Sequence, residues 1–155
     1  MAAPAEEPGS GARGTRADRE FDDDGRMDRF GDPETVVGLR MTTRQWRHLD
    51  GALDSEISVA AENGDPRQVV SAASTIRRAG WRQIAHWIPD VPGSGDWPPD
   101  DEEIVVHLSR GDWALAAECA AHWAAVVGTV GHEQEAAVLR TVQALVVDGL
   151  TAGSA

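Results

Sequence analysis

The pair Gly64-Asp65 returns 47 positions later as Gly111-Asp112, and each copy opens an apolar stretch of helical period. With that offset Val69, Ala73, Ile76 and Gly80 fall on Ala116, Ala120, Trp123 and Val127. An echo at a fixed distance is the mark of stacked helical hairpins, because one hairpin alone leaves its apolar face uncovered. The expectation is an all-α chain of four to five helices, arranged as two stacked hairpins with a capping C-terminal helix.

Local signals divide the chain accordingly. Thr42 and Gln45 have capping-box spacing at the head of a helix over 43–63, and Trp46, Leu49, Leu53 and Ile57 share one face of it. Gly64 stops that helix, and Asp65-Pro66 supplies a cap and a first-turn proline for a second one. The second stripe joins Val69, Ala73, Ile76, Gly80, Ile84 and Trp87, which predicts a helix that runs through Gly80 and ends before Pro89. A glycine on that buried face allows close approach of a neighbouring helix. The hairpin therefore spans 42–88, and the Pro/Gly-dense run 89–99 reads as a linker.

Residues 100–150 read as three further helices. Asp100 and Glu103 fit a capping box, with Ile104, Val105 and Leu108 turned inward. The next helix, over 112–127, buries Trp113, Ala116, Ala117, Ala120 and Ala124. The last opens at Thr129 or Gly131, carries Ala136, Leu139, Val142 and Val146, and stops at Gly149. The only short strand candidate is 36–39, which extended docking of the preceding segment explains equally well. The domain thus covers 37–150. Residues 1–36, rich in Ala, Gly, Pro, Asp, Glu and Arg, bury too little apolar area to offset their ordering entropy and read as a disordered acidic tail.

Charge narrows the partners. The 26 acidic residues outweigh 14 basic ones, for a formal net charge of -12. Phosphate backbones and anionic membrane surfaces require clustered cations, so neither nucleic acid nor membrane is an expected partner. Proteins with basic patches are favoured kinetically. One cysteine excludes an internal disulfide framework. The sequence has neither the pattern of a signal peptide nor an apolar run of bilayer-spanning length, so a cytoplasmic location is expected.

Several clusters resemble chemical motifs and fall short of them. Glu20, Asp22, Asp24 and Asp28 sit at calcium-loop positions with Gly25 at the turn, but Gly31 stands where a bidentate carboxylate is required. Glu118 and His122 are spaced to share a metal, yet they lie opposite the inward face of their helix. His132-Glu133 begins a zincin pattern whose second histidine is replaced by Ala136. Cys119, at the edge of an apolar face, reads as a small buried hydrophobe. No P-loop or GxSxG string occurs, and no cofactor is expected. A small enzyme or metal protein using Glu118, His122, Cys119 and His132 is the second reading.

Six Trp stand in a chain without Tyr. Trp46, Trp87 and Trp113 fall on core stripes. Trp81 projects away from its stripe, on the side of Val70 and Arg77. Because Trp and Arg dominate binding hot spots, Trp81, Val70 and Arg77 form the expected partner surface. A site where Trp81 covers another part of the chain is the competing reading.

The run Gly111-Asp112-Trp113-Ala-Leu-Ala-Ala-Glu-Cys-Ala-Ala-His-Trp123 resembles the turn and second helix of a tetratricopeptide hairpin. Residues 39–80, with Trp46, Leu53, Gly64-Asp65 and Ala79-Gly80, are similar to the CATRA-associated small helical proteins of bacterial conflict systems. Either resemblance implies an adaptor without chemistry of its own, in line with an accessory subunit that binds another protein; a self-assembling structural protein is the third reading.

Overall fold

The computed structural model describes residues 32–153. The order of elements is strand β1 (Val36–Thr42), helix α1 (Thr43–Glu62), helix α2 (Val69–Gln83), strand β2 (Glu103–Ser109), helix α3 (Arg110–Thr129) and helix α4 (Glu133–Ala152). The chain is mostly helical but not all-α: β1 and β2 pair antiparallel in a two-stranded sheet. This corrects the reading of 100–110 as a helix. Ile104, Val106 and Leu108 follow period two as well as Ile104, Val105 and Leu108 follow a helix, and pairing with β1 decides between them. Val106 and Leu108 are buried, and Val105 faces solvent.

The chain is one β-α-α unit used twice, with the strand and first helix displaced by 67 residues rather than 47, and the buried positions of the second helix from Ile76 onward by 66. Shifting β1 and α1 by 67 reproduces the limits of β2 and α3. The two strands also share the same alternation of exposed and buried positions. Hydrogen bonds obey the same shift. Arg110 N–H donates to the Thr35 carbonyl at 2.8 Å, and Thr43 N–H donates to the Glu102 carbonyl at 2.9 Å. Gly111 N–H reaches the Pro33 carbonyl at 3.0 Å, and Arg44 N–H reaches the Asp100 carbonyl at 2.9 Å. In the sheet Leu39 pairs with Val106, its own equivalent, so a local two-fold passes through that pair. Gly64-Asp65 lies in the turn between α1 and α2, whereas Gly111-Asp112 lies in the first turn of α3. The 47-residue echo does not join equivalent places.

Each strand feeds its helix through a hydroxyl cap. The Thr42 hydroxyl accepts from Gln45 N–H at 3.2 Å, and the Gln45 side chain accepts from Thr42 N–H at 2.8 Å, completing the box. Ser109 accepts from Asp112 N–H at 3.1 Å. Four residues beyond each cap stands a fully buried tryptophan, and the rings of Trp46 and Trp113 meet edge to face with centroids 6.3 Å apart. The core spreads from this pair through Leu49, Leu53, Ile76, Leu139, Val142 and Val146. The small buried residues Ala116, Ala120 and Ala124 line the inward face of α3.

Several boundaries differ from the sequence expectations. Residues 66–68 form a turn, and α2 starts at Val69 with its first amides held by the Asp65 carboxylate at 2.7 and 3.2 Å. It ends at Gln83 rather than at 88. Helix α4 runs through Gly149 to Ala152. A Cβ at Gly149 would come within 2.4 Å of Leu39 Cδ2, so this glycine serves close packing and not a helix stop. The boundary at 36 is too late, since the carbonyls of Pro33 and Thr35 bind the start of α3. The remainder of the expected tail and the calcium-like loop, Glu20 to Gly31, lie outside the described residues.

Candidate protein-binding surface

Helix α2 carries Trp81 to the place where the chain leaves helical geometry. Gln83 ends the helix, and His86 and Asp90 then take left-handed backbone conformations, with φ of 51° and 62°. Such conformations are uncommon outside glycine and are held here by a dense local network. Trp87 N–H donates to the Trp81 carbonyl at 3.0 Å, and Gly95 N–H to the Ala85 carbonyl at 3.2 Å. The Ser94 hydroxyl accepts from Ile88 N–H at 3.1 Å and lies 2.9 Å from the Ile88 and Val91 carbonyls.

Three tryptophans gather on this framework. Trp81 stacks at a tilt on Trp97, with centroids 4.4 Å apart. Gly95, at φ 95°, fills the space beside Trp87 and Trp81; a Cβ there would sit 3.1 Å from Trp87 Cδ1 and 3.5 Å from Trp81 Cζ3. All three rings are half-buried. Beside them Ile88 and Val91 are 56% and 47% exposed. Arg82, His86, Trp87, Ile88 and Pro89 line a shallow hollow at the same corner. Each rigid ring is fixed by its neighbours, and the aliphatic side chains are left to water.

Arg77 and Trp81 lie one turn apart on α2 and have different partners. Arg77 turns toward α1, where its Nε donates to Asp50 at 2.9 Å and its Nη1 to Asp54. The Asp50 hydrogen bond, with the charges of both carboxylates, raises the Arg77 pKa against the opposing effect of burial. Val70 is half-buried near the start of α2, about three turns from Trp81. Trp81 therefore keeps company with Trp97 and the linker. Trp87, expected on the core stripe of α2, lies beyond the helix end and is half-buried, and the linker's signal is its own Trp97 beside a glycine-rich turn.

The residues of the second reading lie in different environments. Glu118 and His122 are exposed on α3, as their helical angle predicts. Cys119 is buried, and desolvation, helped by the nearby charges of Glu56 and Glu118, pushes its thiol up to about 12. It is protonated near neutral pH and a poor nucleophile there. Glu56 is engaged by Trp123 Nε1 at 3.0 Å and Arg67 at 3.4 Å. His132 sits beyond the end of α3, 3.7 Å from Glu135. Among the described residues no three His, Cys, Asp or Glu side chains gather to hold a metal, and no helix is long and apolar enough to cross a membrane.

Comparison with known proteins finds no matching family model, no matching curated protein and no matching solved structure.

Proposed function

We propose that this chain is a small accessory protein of the cytoplasm that binds another protein and carries out no chemistry of its own, using the corner built by Trp81, Trp87 and Trp97. The observation that carries the reading is the exposure of Ile88 and Val91 beside ordered aromatic rings. Aliphatic side chains rimming rigid aromatics are the composition of a binding hot spot, which needs little further ordering when a partner arrives. The acidic excess outside the corner favours a partner with basic residues around an apolar centre. Val70 and Arg77 then lie at the margin, with Arg77 supporting the hairpin through Asp50 and Asp54.

The test is a double substitution, Ile88→Asp with Val91→Asp. Both side chains are exposed, so stability should change by no more than about 0.5 kcal/mol each. Quantified capture of the partner recovered by the wild-type chain should fall by tenfold or more, roughly the effect of 1.4 kcal/mol. Undiminished capture with an unchanged thermal melt would place the partner elsewhere and remove the corner from the account.

A further inference from the structure

The two outer edges of the sheet are treated differently. On β2 the Gln83 side chain acts as a surrogate strand: its amide donates to the His107 carbonyl at 2.9 Å, and its carbonyl oxygen accepts from His107 N–H at 2.9 Å. In β1 the residue equivalent to His107 is Arg40. The buried ladder of α4 follows that of α2, with Ile76, Gly80 and Ile84 answered by Val142, Val146 and Leu150. Gln83 is thereby answered by Gly149, which has no side chain to offer.

The β1 edge is consequently open. Residues 35 and 43 bond across the ladder, so the odd-numbered positions of β1 point their backbone groups at β2. The N–H and C=O groups of Gly38 and Arg40 point away from it. Among the described residues these groups have no hydrogen-bond partner, and both residues are exposed. Unpaired edge groups of this kind are a template for another strand.

We propose that the outer edge of β1 is a self-association site, where two copies of this chain pair antiparallel into the four-stranded order β2-β1-β1-β2. Charge favours a second copy in this orientation. The segment is acidic where it enters, at Asp32 and Glu34, and basic where it leaves, at Arg40 and Arg44, and all four residues are exposed. Antiparallel pairing brings Arg40 toward the partner subunit's Glu34. With Gly38 opposite its own equivalent, Arg40 stands opposite the partner subunit's Val36, so no like charges face each other across the ladder. The new pairing continues the existing β1–β2 ladder. Because Gln83 closes the other edge, growth stops at the dimer. The site is separate from the aromatic corner, and either can hold without the other.

Sedimentation of the full chain over a wide dilution series tests the proposal. The wild type should pass from monomer to dimer as concentration rises. Arg40→Pro removes an N–H that points away from β2, so it spares the internal ladder. One hydrogen bond is lost at each of two symmetric positions, and self-association should weaken about thirtyfold. Arg40→Ala retains the N–H and should still dimerise. If Arg40→Pro fails to fold, amide exchange on the wild type decides: the Gly38 and Arg40 amides should slow as concentration rises. A wild type that stays monomeric throughout, a dimer indifferent to Arg40→Pro, or edge amides indifferent to concentration would each overturn the proposal.

Discussion

Trp46 and Trp113 occupy equivalent places in the two halves and meet on the local two-fold, yet they are held in different ways. The Trp113 indole donates to the Val37 carbonyl at 2.9 Å. Among the described residues the buried Trp46 indole N–H has no partner. Gly80 accounts for the difference. The ring of Trp46 lies so close to α2 that a Cβ at Gly80 would fall 1.9 Å from its Cζ2. The position in α4 that answers Gly80 is Val146, a fully buried side chain where α2 has none. One half thus forgoes a hydrogen bond to bring a helix close; the other keeps the bond and a bulkier helix. The two halves share the architecture, while the fit of each tryptophan differs with the residue opposite it.

The largest effects should come from the two rings themselves. Trp46→Ala and Trp113→Ala should each cost about 3–5 kcal/mol in denaturant titration, since both remove a fully buried aromatic side chain. Phenylalanine separates the halves. Trp113→Phe gives up a hydrogen bond as well as volume, whereas Trp46→Phe removes an unpaired buried donor. The Trp113 variant should therefore be less stable than the Trp46 variant by about 1 kcal/mol. Equal losses would show that the indole N–H groups do not distinguish the halves.

Glycine replacements sharpen the contrast at the next level. Alanine normally stabilises a helix by about 1 kcal/mol relative to glycine. At Gly80 the added methyl meets the rigid Trp46 ring, and overpacking should reverse the gain to a net loss of about 1–3 kcal/mol. At Gly149 the obstacle is Leu39 Cδ2, the far end of a flexible side chain, so Gly149→Ala should be close to neutral. A stabilised Gly80→Ala protein in thermal melts would contradict the packing assigned to Trp46.

The caps should separate the halves least. Thr42→Ala loses a reciprocal capping box with Gln45, and Ser109→Ala loses a single bond to Asp112 N–H. Each should cost about 1 kcal/mol, with the Thr42 loss the greater. Matching midpoint shifts in urea would mean that the second bond of the box adds nothing.

The helices were legible because each is announced within a few residues. Thr42 and Gln45 form the expected box, Gly80 is a buried helical glycine, Trp46 and Trp113 are core, and Glu118 faces water. The sheet was not legible, because its stability lies in a partner 67 residues away. Glu103–Ser109 alone satisfies helical and strand periods alike. The repeat itself was visible in principle: Thr42 and Ser109 precede Trp46 and Trp113 by four residues, with Leu39-Met41 and Val106-Leu108 ahead of them. The Gly-Asp pair is the stronger sequence signal, since two identical residues stand out more than substituted apolar pairs. Trp81 is half-buried and stacks on Trp97. Its contact with Trp97 depends on a linker whose left-handed turns at His86, Asp90 and Gly95 set the geometry.

Residue-resolved amide hydrogen exchange on dilute, monomeric protein tests most directly the claim that equivalent strands have one closed edge and one open edge. Exchange should be slow at His107, whose N–H is held by Gln83, and fast at Arg40, its equivalent in β1. Gln83→Ala should accelerate His107 to the Arg40 rate and leave the inward amides of both strands protected. Equal protection at Arg40 and His107 in the monomer, or a His107 rate unchanged by Gln83→Ala, would contradict it.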